Sequence, residues 1–332
     1  MAQSCSGDAV DGQWVDEADT VNHLCPSGHP TRWRAAGARE QPRPPCRLSH
    51  PEIPSPRRRD VATATATALV LPPPLAADLD KYHRTGVGGG KSDASVTRFD
   101  RPHGGAVYLK TQRIATTRRP LFDEAERLGW MHAVGLPVPA VLQYHEWKGH
   151  EYLLLTSISG TDAAAPRAPE RHGAVVAALA AGLRLVHATN ISACPFDQSR
   201  RIRVADAKHR VEAGLVNESD FDGVRQGRSA HDLFAELMAA RPGDEGRAFT
   251  HGDYCLPNVL LEEDGAGGYR VSGLVDCGSA GVADPYQDLA LCARSIASDF
   301  GPDLVPVLFA RYGLERVDEA KLAYYQLLDE FF

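Results

Sequence analysis

The segment His251–Asn258, with the sequence HGDYCLPN, is followed farther along the chain by Asp276 in a short segment bounded by glycines. Asp253, Asn258 and Asp276 can act together only if the residues between Asn258 and Asp276 fold back as a short hairpin. Asp and Asn are also common in turns, but their joint spacing makes turn formation alone a poor explanation. The pattern therefore predicts two strands around residues 258–276, with polar side chains gathered at one end of the hairpin.

One carboxylate, one carboxamide and a second carboxylate at this spacing are typical of a site that transfers a phosphoryl group. A phosphoryl group in transfer carries negative charge on its equatorial oxygens, so such a site holds Mg²⁺ and orients the accepting hydroxyl. We expect Asp253 to orient that hydroxyl and accept its proton. Asn258 and Asp276 are expected to bind Mg²⁺, and His251 to brace the loop.

Several further segments strengthen this interpretation. Together with the first, they are Cys194–Asp197, His251–Asn258, Asp276–Gly278, Gly281–Ala290 and Leu327–Phe332. In this order they resemble the aminoglycoside phosphotransferase family and, within it, the 3′-phosphotransferases. A series of motifs is far more specific than a lone HGD would be. The similarity runs from about Leu69 to the last residue.

The resemblance implies an α+β, bilobal, protein-kinase-like fold, which periodicity alone does not establish. Residues 67–158 would form a small, β-rich nucleotide-binding lobe. Residues 159–332 would form a larger, mostly helical lobe that carries the catalytic and aminoglycoside-binding groups. Residues 1–66 show neither a helical nor an alternating apolar period, and we expect them to be a disordered extension or sequence upstream of the true start.

Local patterns predict the elements of both lobes. In the first, two strands, a helix and a hairpin are expected at Ala94–Phe99, Gly105–Lys110, Asp123–Ala133, Val141–Trp147 and Glu151–Thr156. In the second, the longest predicted helix is Glu170–Ala188. Further helices are predicted near residues 204–213, 230–240, 285–297 and 316–330.

The glycine-rich stretch 85–92 nearly matches a phosphate-binding P-loop. That motif requires glycine where this chain has Thr85, and the polar residues before it do not form a buried strand. A flexible turn is one interpretation. We favour a loop that covers the ATP phosphates, as the resemblance implies, in which glycines allow close backbone approach and Ser92 donates a hydrogen bond.

Lys110 ends an apolar strand, and such a lysine usually extends to solvent. The resemblance pairs it instead with Glu124, early in the next helix, so that the lysine contacts the α- and β-phosphates. Glu124 alone would be explained as an acid favoured at a helix start. The resemblance also places Tyr108 against adenine, although an aromatic in a strand more often lies in a core. It makes Thr156, Ser157 and Ile158 the hinge that binds the adenine edge.

A polycationic substrate calls for carboxylates rather than apolar walls. The candidate substrate-binding residues are Asp220, Asp222, Arg294, Asp329, Glu330 and the terminal carboxylate of Phe332. Acidic loops and acids at helix ends are usually only solvated. A chain that ends in two phenylalanines is harder to explain that way, and we expect this end to dock into the substrate pocket.

The chain departs from the family pattern at three positions. Ser279 stands where an arginine is usual, Gly223 replaces an acid of the substrate loop, and Ser298 stands where another acid often occurs. Each change removes a charged contact. We therefore expect a narrowed substrate range or reduced activity.

The charge and cysteine content limit the alternatives. The formal net charge is −7, and all of the excess lies in residues 61–332, which suits a polycationic substrate and argues against a nucleic-acid-binding surface. Seven cysteines without a CxxC pair argue against a disulfide framework or a structural zinc site. No apolar stretch is long enough for a membrane span, and no secretory signal is evident. We expect a cytoplasmic protein, monomeric or weakly dimeric.

The sequence thus predicts an ATP- and Mg²⁺-dependent kinase that phosphorylates the 3′-hydroxyl of kanamycin-like and neomycin-like aminoglycosides and confers resistance to them. One alternative is a related kinase of the same family with another hydroxylated substrate. A second is a non-catalytic aminoglycoside-binding pseudo-kinase, for which Ser279 is the main support.

Overall fold

The structure, a computed structural model, describes residues 69–86, 94–114 and 120–332. The chain divides into two units, Met1–Thr67 and Ala68–Phe332, and the first lies outside the described residues, as does the extension expected at 1–66. The second unit is an α+β fold of two lobes. No helix within the described ranges combines the length and the apolar surface that crossing a bilayer requires.

The first lobe is built on an antiparallel sheet of five strands in the order β1-β2-β3-β5-β4. The strands are β1 (His83–Gly86), β2 (Ser95–Asp100), β3 (Ala106–Arg113), β4 (Val141–Trp147) and β5 (His150–Thr156). Each long strand alternates its side chains between the two faces of the sheet. One face therefore can be buried independently of the other.

The outer face of this sheet is covered by a short helix, α1 (Pro73–Leu79), which begins with proline at its first position. Leu75 of this helix is fully buried against Val107 and Leu109 of β3. Because the strand alternates, Tyr108 and Lys110 face the other way, toward the second lobe. This register decides which β3 side chains can reach a nucleotide.

The inner face packs on α2 (Pro120–Ala133), which follows β3 in the chain. Leu128 and Met131 of the helix are buried together with Leu153 and Leu155 of β5 in a core that continues into the second lobe. The buried stripe on α2 also includes a charged residue, Glu124. A charge in such a stripe needs a partner of opposite sign.

The second lobe is mainly helical. Its helices are α3 (Pro169–His187), α4 (Arg200–Glu212), α5 (Ala230–Ala239), α6 (Tyr286–Asp299), α7 (Val305–Tyr312) and α8 (Glu319–Asp329). Helix α6 is apolar along most of its length and packs against α8. Helix α3 lies against α7 and the hairpin described next.

Short strands carry the polar segments identified in the sequence. They are β6 (Thr161–Asp162), β7 (Ala248–Thr250), β8 (Val259–Glu263), β9 (Tyr269–Leu274) and β10 (Gly281–Ala283). β8 and β9 form the predicted hairpin, and Val259 pairs with Leu274 at its open end. This pairing sets Asn258 beside Val275, whose amide donates to the Asn258 carbonyl at 3.0 Å. The hairpin expectation is confirmed.

Most predicted elements are present, with ends shifted by a few residues. Helix α2 starts at Pro120 instead of Asp123, and α4 starts at Arg200 rather than near 204. Helices α1 and α7 and strands β1, β6, β7 and β10 were not predicted. These are short elements, of two to eight residues, whose apolar pattern is too brief to show a period.

Gly182 in α3 marks a close approach between this helix and the hairpin. A Cβ atom built on Gly182 would lie 2.2 Å from the Tyr254 hydroxyl oxygen and 2.7 Å from a methyl carbon of Val271. The Tyr254 side chain is fully buried, and its hydroxyl donates to the carbonyl oxygen of Leu179 at 3.1 Å. Glycine at 182 therefore makes room for the residue that follows Asp253.

We predict that Gly182→Ala lowers the free energy of unfolding by about 1–3 kcal/mol, because the added methyl group overpacks a rigid contact. Gly173→Ala in the same helix is the matched control. A Cβ atom at residue 173 would have no neighbouring atom within 4 Å. This variant should therefore stabilise the protein by up to about 1 kcal/mol through helix propensity. Thermal unfolding of both variants checks this, and equal effects would contradict the packing argument.

Candidate active site

The loop His251–Asn258 runs from β7 into β8 and holds Asp253 and Asn258 against each other. The Asn258 side-chain nitrogen donates to the Asp253 carboxylate at 2.8 Å and to the Asp253 carbonyl oxygen at 3.0 Å. Both N–H bonds of the amide are used in this way, so its oxygen is the atom left for a cation. Burial, followed by the nearby Asp329 carboxylate, raises the pKa of Asp253, whereas a hydrogen bond with Cys255 lowers it.

His251 is fully buried and braces this loop, as the sequence suggested. Its Nε2 atom lies 2.9 Å from the Val275 carbonyl oxygen, and its Nδ1 accepts from the Asp253 amide at 3.3 Å. These two contacts fit a neutral ring with the proton on Nε2. The imidazole thus links the loop of Asp253 to the end of the β8–β9 hairpin.

Asp276 lies just beyond that hairpin in a left-handed backbone conformation, with φ 59° and ψ 50°. A non-glycine residue in this conformation carries strain that the surrounding structure must offset. The carboxylate accepts a hydrogen bond from the Nζ atom of Lys110, while about half of the side chain stays exposed. Asp276 therefore connects the second lobe to β3 of the first.

Lys110 also forms an ion pair with Glu124 of α2, with Nζ 2.6 Å and 2.9 Å from the two carboxylate oxygens. Both side chains are nearly buried. Burial alone would lower the pKa of Lys110, but the carboxylates of Glu124 and Asp276 outweigh it and raise the pKa. The amine is therefore held as a fixed positive charge that faces the space between the lobes.

The other residues expected on the nucleotide side lie on β3, at the end of β5 and directly after β5. Tyr108 is half-buried on the same face of β3 as Lys110 and opposite Leu155 of β5. Thr156 ends β5 and donates its amide to the Ala140 carbonyl oxygen at 3.0 Å. Ser157 and Ile158 follow directly and lead into β6. Ser92 lies outside the described residues.

Asp288 of α6 is a buried carboxylate that was given no role in the sequence analysis, and it supports the loop His251–Asn258 through hydrogen bonds. Its two oxygens accept from the His251 and Gly252 amides at 2.8 Å each. His187 of α3 lies 3.1 Å from one of them. Asp288 is completely buried. An acid in the first turn of α6, directly before a run of apolar residues, was the sequence signal that could have found it.

Gly252 shows how closely the loop is packed. Its φ is +85°, and a Cβ atom would lie 2.1 Å from the Ser279 carbonyl oxygen. Only glycine suits both the conformation and the space. The backbone of residue 279, where the expected arginine is missing, is thus part of the catalytic loop's support.

Arg127 of α2 is a second residue that sequence reasoning missed. Its Nε atom donates at 2.8 Å to the carbonyl oxygen of Ala280, just past the turn that contains Asp276. Its guanidinium carbon lies 4.9 Å from the ring centre of Phe196, in the Cys194–Asp197 segment. Arg127 therefore fixes the helix that carries Glu124 to the loop that carries Asp276.

The candidate substrate carboxylates form one cluster with two arginines. Arg225 contacts Asp222 and lies 3.3 Å from Glu330, while Arg294 contacts Asp329 and lies 3.3 Å from the same Glu330 oxygen. The Asp222 amide also donates to Glu330 at 3.0 Å. Burial and the Asp222 carboxylate raise the pKa of Glu330, against the lowering effect of both arginines.

The other positions considered for the substrate side lie at the surface. Asp220 is exposed at the end of a short 3-10 turn, Glu218–Asp220. Gly223 and Ser298 are also exposed. These positions can accommodate changes of charge without repacking of the core.

The C-terminal residues pack against α4 and α5. Phe331 is fully buried, with its ring 5.8 Å from that of Phe234 in α5. The ring of Phe332 lies 3.6 Å from the guanidinium carbon of Arg203, and an oxygen of the Phe332 terminal carboxylate accepts from Arg210 at 3.5 Å. The protein's own arginines therefore contact this end of the chain, and an amine-binding role for Phe332 stays a prediction.

The donor set matches what Mg²⁺ requires. Asn258 offers an amide oxygen and Asp276 a half-exposed carboxylate, and both are hard oxygen ligands. Within the described part of the chain, His, Cys, Asp and Glu side chains form no group of three that could hold a metal. Mg²⁺ commonly takes only one or two carboxylates and completes its shell with water and substrate phosphates, so the site fits that ion.

Comparisons with known proteins show which families and structures the chain is similar to. A sequence profile of the phosphotransferase enzyme family, APH, matches residues 83–325. The chain is 40% identical to an aminoglycoside 3′-phosphotransferase of Streptomyces fradiae, over 64% of this chain and 80% of that protein.

Two solved structures are also similar. A crystal structure of an aminoglycoside 3′-phosphotransferase of type VIII aligns with a TM-score of 0.69 and 37% identity, over 76% of this chain and 94% of that one. An aminoglycoside phosphotransferase of Streptomyces rimosus, in complex with ADP and streptomycin, aligns with a TM-score of 0.62 and 26% identity. It covers 77% of this chain and 95% of its own.

We predict that Asp288→Asn lowers the free energy of unfolding by about 1–3 kcal/mol, because the new NH₂ group must face a backbone N–H. Displacement of the loop should also lower kcat by at least about tenfold. Asp299→Asn, at the exposed end of α6, is the control. Thermal unfolding and phosphoryl-transfer kinetics measure both effects, and an Asp288→Asn enzyme with the wild-type kcat would argue against the loop-support role.

Proposed function

The chain belongs to the phosphotransferase enzyme family, among the aminoglycoside 3′-phosphotransferases, and we propose that it uses ATP and Mg²⁺ to phosphorylate kanamycin-like and neomycin-like aminoglycosides. The product would lack the free hydroxyl that the drug needs to bind the ribosome, so the reaction confers resistance. Because ATP is the expected donor, we place the working enzyme in the cytoplasm.

The observation that carries this proposal is the position of Asp253 between two regions of different chemistry. On one side lie Asn258, Asp276 and the fixed cation of Lys110. On the other side is Asp329, which is near enough to raise the pKa of Asp253. A phosphate donor suits the first region and a polycationic acceptor suits the second.

The transfer itself breaks the bond between the β,γ-bridging oxygen of ATP and the γ-phosphorus and forms a bond from the drug's 3′-oxygen to that phosphorus. The hydroxyl proton goes to the Asp253 carboxylate, and ADP leaves. Since the transition state is loose, Asp253 acts mainly by orienting the hydroxyl. Lys110, held by Glu124, stabilises the negative charge on the phosphates.

Asn258 and Asp276 would hold Mg²⁺. When bound, the ion neutralises charge on the phosphates and orients them for transfer. Both residues lie at the open end of the β8–β9 hairpin, where the amide of Val275, the residue before Asp276, donates a hydrogen bond to the Asn258 carbonyl oxygen. The hairpin therefore keeps the two ligands at a fixed separation.

The test of this function is an ADP-release assay with the purified protein, ATP and Mg²⁺. We expect turnover with kanamycin and neomycin and none with tobramycin, which lacks the 3′-hydroxyl. Tobramycin turnover would move the transfer to another hydroxyl. Absence of turnover with every drug would contradict the proposal.

We further predict that Asp253→Ala lowers kcat by a factor of about 10²–10⁴, the usual contribution of a positioned base. Binding of an ATP analogue should change little, because Lys110 and Asp276 remain. Asp303→Ala, an exposed acid in a 3-10 turn of the second lobe, is the control. Calorimetry gives the nucleotide affinity, and near-normal turnover by Asp253→Ala would refute its assignment.

A further inference from the structure

The acidic cluster is partly neutralised by a residue that the sequence analysis did not consider, Arg225. This side chain comes from the same loop as Asp222, three positions on, and its guanidinium is mostly buried. It contacts the Oδ2 oxygen of Asp222 and lies 3.3 Å from the Oε1 oxygen of Glu330. One protein cation thus occupies two of the carboxylates that are expected to bind substrate amines.

Asp222 retains an oxygen that Arg225 does not use. Among the atoms of the described residues, its Oδ1 oxygen is buried and has no hydrogen-bond partner. A buried acceptor without a donor is costly. Because the Asp222 side chain as a whole is 28% exposed, a rotation of the carboxylate that offers this oxygen to a donating ligand group is favoured. A hydroxyl and an ammonium group can both donate to this oxygen.

The two donors differ in how they interact with Arg225. An ammonium group at Asp222 Oδ1 would stand within a few ångströms of the guanidinium, and two like charges repel strongly at such distances in a partly buried site. A neutral hydroxyl makes the same hydrogen bond without that repulsion. The loop is also anchored independently of Arg225, since the Asp222 amide donates to Glu330.

We propose that Arg225 is a specificity-determining residue that disfavours an amine, relative to a hydroxyl, at the drug position that faces Asp222. This inference rests on the proposed aminoglycoside function. The second arginine, Arg294, acts on Asp222 only through space, because its guanidinium contacts Asp329 and Glu330. The charge at this one position therefore sets which substituted drugs the enzyme accepts.

The experiment uses two pairs of drugs that differ by a single exchange of hydroxyl for amine. Kanamycin A and kanamycin B differ in this way at the 2′ position, and paromomycin and neomycin at the 6′ position. Calorimetry with the full-length protein gives Kd for all four. The variant Arg225→Gln removes the charge, and Arg225→Lys keeps it.

We expect Arg225→Gln to improve the affinity for the amine relative to its hydroxyl partner by about tenfold in at least one pair. Arg225→Lys should keep the wild-type ratio, since the positive charge remains. Arg228→Gln is the matched control, because it removes the same charge from the same loop at an exposed residue that is paired with Glu236 of α5. It should leave the ratio unchanged.

The possible outcomes distinguish a failure of the role of Arg225 from a failure of the proposed aminoglycoside function. Wild-type protein that neither binds nor phosphorylates any of the four drugs would overturn the proposed function and the inference with it. If the wild type binds the drugs and Arg225→Gln leaves both ratios unchanged or weakens all four equally, only the role of Arg225 is overturned. Thermal unfolding of Arg225→Gln and Arg225→Lys confirms that both variants are folded.

Discussion

The buried charge of Lys110 determines how several parts of this molecule are arranged. A lysine amine removed from water is costly unless carboxylates compensate it, and here Glu124 and Asp276 both contact it. One comes from α2 and the other from the end of the β8–β9 hairpin. The strand, the helix and the hairpin must therefore meet at one point, and that point lies between the lobes where a nucleotide is expected.

The catalytic loop depends on a second buried charge, which acts through the backbone. Asp288 accepts from two consecutive amides of the loop, and the αL residue Asp276 and the glycine at 252 complete a closely packed turn. The helix that carries Asp288 is apolar and central. The position of Asp253 is thus set by the core of the second lobe, which gives the site the rigidity that positioning requires.

The sequence was sufficient for the parts of the site that are encoded in short segments. The spacing of Asp253, Asn258 and Asp276 predicted a hairpin, and the pairing of Val259 with Leu274 confirms it. The Lys110–Glu124 contact also matches the expectation. The roles of Arg127 and Asp288 were not predicted, because they arise from contacts between elements distant in sequence. Helices α1 and α7 were not predicted, because short helices lack a clear period.

The substrate side shows why composition was a weaker guide than motifs. The acidic excess of the chain suggested unpaired carboxylates that could bind a polycation. In the structure, however, Asp222, Asp329 and Glu330 form ion pairs with two arginines. Formal charges therefore overstate the negative potential that a drug would meet, since each guanidinium cancels one carboxylate nearby. Substrate affinity then depends on which carboxylate oxygens the arginines leave open, and sequence alone does not specify those pairings.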